Sequence, residues 1–138
     1  MRSVVLAALF VAFATVNASA GVVARISISS QTMTVMEDGD VLYSWSVSTA
    51  GRGYHTPRGT YRPLRMAKMW YSRKYDNSPM PHSIFFMGGY AVHGTNHIKS
   101  LGRPASHGCV RLHPSNATIL YNLVQSVGPG NTRIVVTD

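Results

Sequence analysis

The only cysteine of this 138-residue chain, Cys109, lies in the stretch SHGCVRL, residues 106–112. A thiolate is a strong nucleophile, but a free cysteine has a pKa of about 8.5 and is mostly protonated at neutral pH. Attack on a carbonyl carbon is therefore helped by a nearby histidine, which lowers that pKa or accepts the proton. Cys109 is a candidate nucleophile for acyl transfer, and the alternative is a buried thiol that only packs in the core.

Two histidines are the main candidates for the base that serves this thiol. His93 ends a predicted strand and is followed by Gly94, which suits a ring fixed at the edge of a sheet. His107 lies two residues before Cys109, within a segment that either continues a strand or turns tightly. The periodicity of the sequence does not choose between His93 and His107.

The group that orients the base is not a carboxylate from this part of the chain. No Asp or Glu occurs between Asp76 and Asp138, so a backbone carbonyl, a hydroxyl or an amide such as that of Asn96 must do so. Gly108 permits a tight turn before Cys109, and successive N–H groups in such a turn can stabilise an oxyanion. Residues 93–111 are therefore a candidate site for thiol-dependent acyl transfer.

A zinc protein is one alternative class of function. The residue types that ligate zinc are present at four positions, namely His93, His97, His107 and Cys109. Gly-Thr-Asn between the first two argues against the helical spacing that would place both on one face. One cysteine with scattered histidines is a weak metal signature, so the sequence predicts neither a metal nor another cofactor.

The first 20 residues have the pattern of a secretory signal peptide. Arg2 precedes an uncharged, mostly apolar run at residues 4–16, and Ala18-Ser19-Ala20 is a cleavage site of small residues. The run is shorter than the roughly 20 apolar residues of a spanning helix. We expect a mature single domain at residues 21–138, exported to the periplasm or the cell wall.

The charge of the chain is strongly positive. There are 13 Lys and Arg against 5 Asp and Glu, and without Arg2 the balance is 12 − 5 = +7. Outside the cytoplasm this favours the anionic cell wall or a membrane surface as a partner, rather than nucleic acid. Residues 52–74 carry seven of the positive charges. This stretch is either a solvated face or a wall-binding surface, and a non-catalytic wall-binding module is the second alternative function. We expect the protein to be a monomer.

Alternating apolar and polar residues predict a mainly β domain with one main helix. Strands are predicted at residues 23–29, 31–36, 41–48, 83–87, 90–93 and 132–137, with an edge strand at 60–66 because Pro63 cannot donate to a ladder. Residues 50–59 are predicted as a loop and residues 67–82 as a long connection. A helix is predicted within residues 114–130.

The predicted helix has signals at both ends. Ser115 or Asn116 is the candidate N-cap, and Gly128-Pro129 is the stop. Its apolar face consists of Ile119, Leu120, Leu123, Val124 and Val127.

VHGTN followed by SHGCVRL, with His93 and Cys109 sixteen residues apart, resembles the catalytic signature of L,D-transpeptidases of the YkuD type. TPRGTY, MPHSIFFMGGYAVHGT and PSNATILYNLV are similar to other parts of the family's pattern, so the resemblance spans roughly the whole of residues 21–138. It implies a single-domain β-sandwich of mixed sheets with the cysteine in a cleft.

The resemblance also implies a two-step reaction on peptidoglycan tetrapeptide stems. Cys109 would be the nucleophile and His93 the general acid and base, with the backbone at Gly94 orienting the ring. The resulting thioester would be transferred to an amine, which cross-links the wall, or to water, which makes the protein a carboxypeptidase. Acylation of the thiol by carbapenems is implied as well.

Supporting roles are carried over in the same way. Backbone amides near His107, Gly108 and Cys109 would form the oxyanion hole. Ser106 and Arg111 would shape the site and contact substrate, and Arg111 would either bind a substrate carboxylate or fix the loop.

Overall fold

The computed structural model describes residues 21–138, which form two β-sheets and one α-helix. The signal peptide predicted at residues 1–20 lies outside the described residues. Sheet A has the strand order β3-β2-β1-β9-β4, and sheet B has the order β5-β6-β7-β8. Sheet A consists of β1 (Val22–Ser27), β2 (Thr32–Glu37), β3 (Asp40–Ser46), β4 (Gly59–Tyr61) and β9 (Thr132–Thr137). Sheet B consists of β5 (Arg65–Ser72), β6 (Ser78–Met87), β7 (Tyr90–Gly94) and β8 (Val110–Leu112).

Both sheets are mixed. Strand β1 pairs in parallel with β9, and β7 pairs in parallel with β8, while the other pairs are antiparallel. The helix α1 (Pro114–Val127) directly follows β8, and short 3₁₀ turns lie at Ile98–Ser100 and Pro129–Asn131. The predicted mainly β fold of mixed sheets, with one main helix near the C-terminus, is confirmed.

The core forms where the alternating apolar faces of the strands meet the helix. In β1 every second residue, Val22, Ala24 and Ile26, is fully buried, as the period-2 pattern requires. The same cluster includes apolar residues of both sheets and of α1, among them Ile84, Phe86, Val92, Leu120 and Val124. Each fully buried side chain of this size contributes about 1.5–3 kcal/mol. This shared core fixes sheet B, which carries the candidate site, on sheet A.

Two predictions between residues 60 and 82 are wrong. The single edge strand at 60–66 is two strands, because the chain passes from β4 in sheet A to β5 in sheet B through Pro63. The long connection at 67–82 is mostly strand, in β5 and the first part of β6. Pro79 and Pro81 lie in the part of β6 that pairs with β5 alone, because β7 pairs with β6 only from Ile84 onward, and prolines within sheets are confined to such edge positions.

The N-cap of the helix lies two or three residues before the predicted candidates Ser115 and Asn116. His113 is the N-cap, Pro114 occupies the first turn, and the Ser115 N–H donates to His113 Nδ1 at 3.2 Å. Proline suits this position because its missing N–H has no partner in a helix anyway. Gly128 ends the helix as predicted. Ile119, predicted on the apolar face, is instead 38% exposed.

A segment after β3 joins the two sheets beneath the candidate site. Ser48 forms a bridge with Arg111 of β8, and Ala50 forms one with Ser106. The N–H groups of Ala105 and Ser106 both donate to Thr49 O at 2.9 Å. Residues 105–111 are therefore fastened along this segment. Within residues 21–138, α1 and the 3₁₀ turns are all too short or too polar to span a membrane.

Candidate active site

A cleft of about 450 Å³ opens over the ends of β7 and β8. It is lined by both candidate bases and the thiol, together with residues of the 50–59 loop and the β5–β6 turn. Of the residues predicted for the site, His93, Ser106, His107, Cys109 and Arg111 line this one cleft. Gly94 and Gly108, the two predicted glycines, do not line it and support the site through their backbone.

Cys109 lies immediately before β8 and is partly buried. The Ala91 N–H of β7 donates to its Sγ at 3.4 Å, and Sγ is 3.9 Å from Gly89 O. Burial raises the pKa of the Cys109 thiol, and the Ala91 N–H and the positive charge of Arg111 offset only part of that effect. The nucleophile is consequently a protonated thiol at rest.

His93 is the buried histidine of the site, with 6% of its surface exposed. Its Nδ1 lies 2.6 Å from Gly94 O. A carbonyl oxygen can only accept, so Nδ1 carries the proton and Nε2 keeps its lone pair. Burial lowers the pKa of His93 to about 4; the Gly94 carbonyl works against this shift and Arg111 adds to it. At neutral pH this ring is uncharged and able to accept a proton at Nε2.

The pairing of β7 with β8 brings these groups together. His93 is directly opposite Arg111, and in a parallel pair opposite side chains project from the same face. Arg111 is half-buried, and its Nη1 donates to Ala105 O at 3.4 Å, so it fixes the loop that leads to Cys109. The cleft lining contains no Asp or Glu among the described residues.

The turn that presents Cys109 is fixed by a hydroxyl. Ser106 Oγ accepts from the Gly108 N–H at 3.0 Å and donates to Cys109 O at 2.6 Å, and Ser106 is 1% exposed. Both of these bonds go to backbone groups of the turn. The predicted contact of Ser106 with substrate stays a prediction. Because the Gly108 N–H is occupied, the N–H groups of His107 and Cys109 remain as candidates for an oxyanion.

Gly108 is required at its position by two observations. Its φ is +138°, which side-chain-bearing residues rarely adopt. A Cβ at this position would lie 2.5 Å from Tyr90 Cε1 and 3.0 Å from His55 O. The 50–59 loop and β7 therefore approach the turn too closely for any residue but glycine.

His107 is placed quite differently from His93. It is exposed at the mouth of the cleft. The centroid of its ring lies 4.1 Å from the ring centroid of Tyr75 and 4.7 Å from that of Tyr54. We call these three side chains the aromatic rim. Tyr54 comes from the 50–59 loop and Tyr75 from the β5–β6 turn, so the rim joins three separate segments above Cys109. Neither tyrosine was among the residues that the sequence predicted for the site.

The zinc alternative finds no support in the geometry. Among residues 21–138, no three His, Cys, Asp or Glu side chains are grouped closely enough to bind a metal ion. Of the four candidate ligands, His93 has its Nδ1 committed to a carbonyl, and His107 makes tilted ring contacts with Tyr54 and Tyr75.

A mixed β-sandwich with a thiol and a neutral imidazole in one cleft defines a class of protein that can be compared with known families. The model of the YkuD family, the L,D-transpeptidase catalytic domain, matches residues 21–136. The chain belongs to this family.

Individual relatives agree with the family assignment. The protein YqjB of Bacillus subtilis (strain 168) is 29% identical over 119 residues, covering 77% of this chain and 65% of that protein. An L,D-transpeptidase from Mycobacterium smegmatis is 29% identical with a TM-score of 0.76, over 85% of this chain and 58% of the other. The fold is also that of the L,D-transpeptidase LdtMt1 in complex with imipenem (23% identity, TM-score 0.75, 85% and 59% covered). The chain thus spans less than two thirds of the relatives it matches.

Proposed function

We propose that this protein is a cysteine-dependent acyltransferase that acts on the tetrapeptide stems of peptidoglycan. The observation that carries the proposal is the placement of Cys109 and His93 in one cleft, with the His93 Nδ1–H directed to Gly94 O and Nε2 left to accept a proton. Membership in the L,D-transpeptidase catalytic domain family supports the substrate class.

The first step is acylation of the thiol. Cys109 gives its proton to Nε2 of His93 as Sγ attacks the carbonyl carbon before the terminal D-Ala. The new S–C bond forms, the amide C–N bond breaks, and the D-Ala amine leaves with the proton from His93. Proton transfer must accompany attack, because burial disfavours both a resting thiolate and a resting imidazolium.

The second step releases the acyl group. An amine attacks the thioester carbonyl, the S–C bond breaks, and the thiolate regains its proton through His93. With the amine of a second stem the product is a cross-link, and with water it is a shortened stem. We assign the amine reaction as the function, and hydrolysis is the alternative that the experiment below distinguishes.

Export completes the proposal. Residues 1–20 would direct the chain out of the cytoplasm and be removed, leaving residues 21–138 in the periplasm or wall, where the stems are. The seven basic residues of the 52–74 stretch are all exposed, which supports the anionic wall as a further partner.

The test is incubation of the purified protein with a disaccharide-tetrapeptide, alone and with a second stem as amine donor. Intact-protein mass spectrometry should show an adduct on Cys109, and product analysis should show the cross-linked dimer together with free D-Ala. A shortened stem without dimer would show that the protein is a carboxypeptidase and not a transferase. Unmodified protein and unchanged substrate would exclude acyl transfer and favour a wall-binding module.

A further inference from the structure

A buried threonine in the 50–59 loop is joined to the backbone of the nucleophile turn. Thr56 is 3% exposed, and its Oγ1 accepts from the Ala50 N–H at 3.0 Å and donates to Gly108 O at 2.8 Å. A hydroxyl has one proton, and the Ala50 N–H can only donate, so the proton of Thr56 is committed to Gly108 O. The contact spans 52 residues of sequence, between two irregular segments.

We propose that Thr56 is a positioning residue that aims the Cys109 N–H at the oxyanion of the reaction. This inference rests on the proposed acyl transfer. The C=O of Gly108 and the N–H of Cys109 belong to one peptide group, and no cis peptide bond occurs among residues 21–138. In a planar trans peptide these two groups point in opposite directions. A hydroxyl that fixes the direction of Gly108 O therefore fixes the direction of the Cys109 N–H.

The turn needs this second attachment. Gly108 is the residue with the greatest backbone freedom in the turn, because it has no Cβ. Ser106 restrains only one of its sides, through the Gly108 N–H and Cys109 O. Thr56, in the 50–59 loop, restrains the Gly108 carbonyl on the other side of the turn. Together the two hydroxyls leave the peptide plane between Gly108 and Cys109 a single orientation.

The anchor of Thr56 is itself rigid. Ala50 follows Thr49, whose N–H donates to Gln31 Oε1 at 3.0 Å and whose Oγ1 accepts from Gln31 Nε2 at 2.6 Å. Gln31 and Thr49 are both buried, and Gln31 precedes β2 of sheet A. The position of the Cys109 amide is therefore determined by buried hydrogen bonds that lead to sheet A, and not by the exposed loops around the cleft.

The role predicts a selective defect, because only one of two reactions of Cys109 uses an oxyanion. Acylation by imipenem passes through a negatively charged carbonyl oxygen, whereas alkylation by iodoacetamide does not. In Thr56→Val the hydroxyl is replaced by a methyl group of similar size. We expect the acylation rate to fall about 10-fold or more, up to the 10²–10³-fold that removal of one oxyanion donor costs. The alkylation rate should change less than about 2-fold, because Sγ and His93 keep their contacts.

The experiment compares both rates in the full-length protein and its variants by intact-protein mass spectrometry. Thr56→Ser retains the hydroxyl and should restore most of the acylation rate. Thr132→Val is the matched control, since Thr132 is also buried and its Oγ1 donates to a backbone carbonyl, Gly128 O, at 3.0 Å, away from the cleft. If the valine variant is unstable, Thr56→Ala gives the same comparison.

Several results would overturn the inference. One is an equal loss of acylation and alkylation in Thr56→Val, which would indicate general disruption of the site. Others are acylation at the wild-type rate in that variant, or a serine variant as poor as the valine one. A wild-type protein that neither imipenem nor a tetrapeptide stem acylates would overturn the proposed function, and this inference with it. Wild-type acylation with an unaffected Thr56→Val protein would overturn the inference alone.

Discussion

The two histidines nearest the thiol occupy opposite environments. His93 lies inside the cleft on β7, buried, with one ring nitrogen bonded to the backbone of its own strand. His107 lies outside on the aromatic rim, exposed, with its ring near tyrosines from two separate segments. The inner ring is shielded and directed, which suits proton transfer. The outer ring is part of a surface, which suits contact with a substrate chain. Nearness in sequence to Cys109 is thus a poor guide to role.

The largest effect should follow loss of the inner nucleophile. Cys109→Ala removes the only thiol, so we expect no covalent adduct with a tetrapeptide stem or with imipenem and no release of D-Ala. Mass spectrometry of the intact protein and chromatography of the products measure these outcomes. If Cys109→Ala still released D-Ala, a group other than Cys109 would be the nucleophile.

The next effect separates the two histidines. His93→Gln keeps a hydrogen-bonding side chain but no base, and we expect acylation to slow by about 10²–10⁴-fold, the usual contribution of general acid–base catalysis. His107→Gln should slow it by much less and act mainly on KM. Single-turnover acylation rates of the two variants give the comparison. A larger loss in His107→Gln than in His93→Gln would show that His107 is the base.

The burial of the inner ring also predicts how stability depends on pH. The pKa of His93 is lowered from 6.5 to about 4 in the folded protein. Between these values the unfolded chain binds a proton that the folded protein does not, so stability falls as pH falls from about 6.5 to about 4. The shift corresponds to about 3 kcal/mol at most. Chemical denaturation across this range should show the slope in wild type and a shallower one in His93→Gln. Equal slopes would mean that the ring is not buried in its neutral form.

The rim should give a smaller effect. Tyr75→Leu removes the ring 4.1 Å from His107, and an aromatic pair contributes about 0.5–1.5 kcal/mol beyond its buried area. We expect KM for a tetrapeptide stem to rise by up to about 10-fold, with little change in the alkylation of Cys109. Tyr71→Leu is the control, because Tyr71 is an exposed tyrosine on β5 that does not line the cleft. Identical kinetics for both variants would show that the aromatic rim does not contribute to substrate binding.

The smallest and most diffuse effect concerns charge. Replacement of Arg62, Lys68 and Arg73 by Gln should weaken binding to intact sacculi at low salt by a few-fold. It should also flatten the salt dependence, because the Debye length falls from about 10 Å at 0.1 M to about 3 Å at 1 M. A control with Arg25, Lys99 and Arg103 replaced by Gln has the same net charge. Equal binding by the two variants would leave residues 52–74 as a solvated face.

Much of sheet A was predictable because its strands have one buried face. The alternation in β1 and β2 is regular, so the strands predicted at residues 23–29 and 31–36 agree with the observed bounds to within one or two residues. Strand β5 was missed because it is an edge strand with most of its residues exposed, which removes the apolar and polar alternation. The prolines of β6 then resembled loop punctuation.

The site was predictable in composition but not in electrostatic state. The spacing of VHGT and SHGC identified the cleft residues, whereas the choice between His93 and His107 depends on the pairing of β7 with β8, which is not local. The expectation that a histidine lowers the thiol pKa is not met at rest, because burial of Cys109 has the larger effect. The contact of Thr56 with Gly108 had no local signal either.

The partly buried, protonated thiol also affects how well the protein resists oxidation outside the cytoplasm, where we propose it acts. Peroxides oxidise thiolates far faster than thiols, first to sulfenic acid and then irreversibly. With a single cysteine in the chain, a sulfenic acid at Cys109 would have no second thiol of its own to convert it to a disulfide. A raised pKa lowers the fraction of thiolate at rest and therefore slows oxidation of the single cysteine.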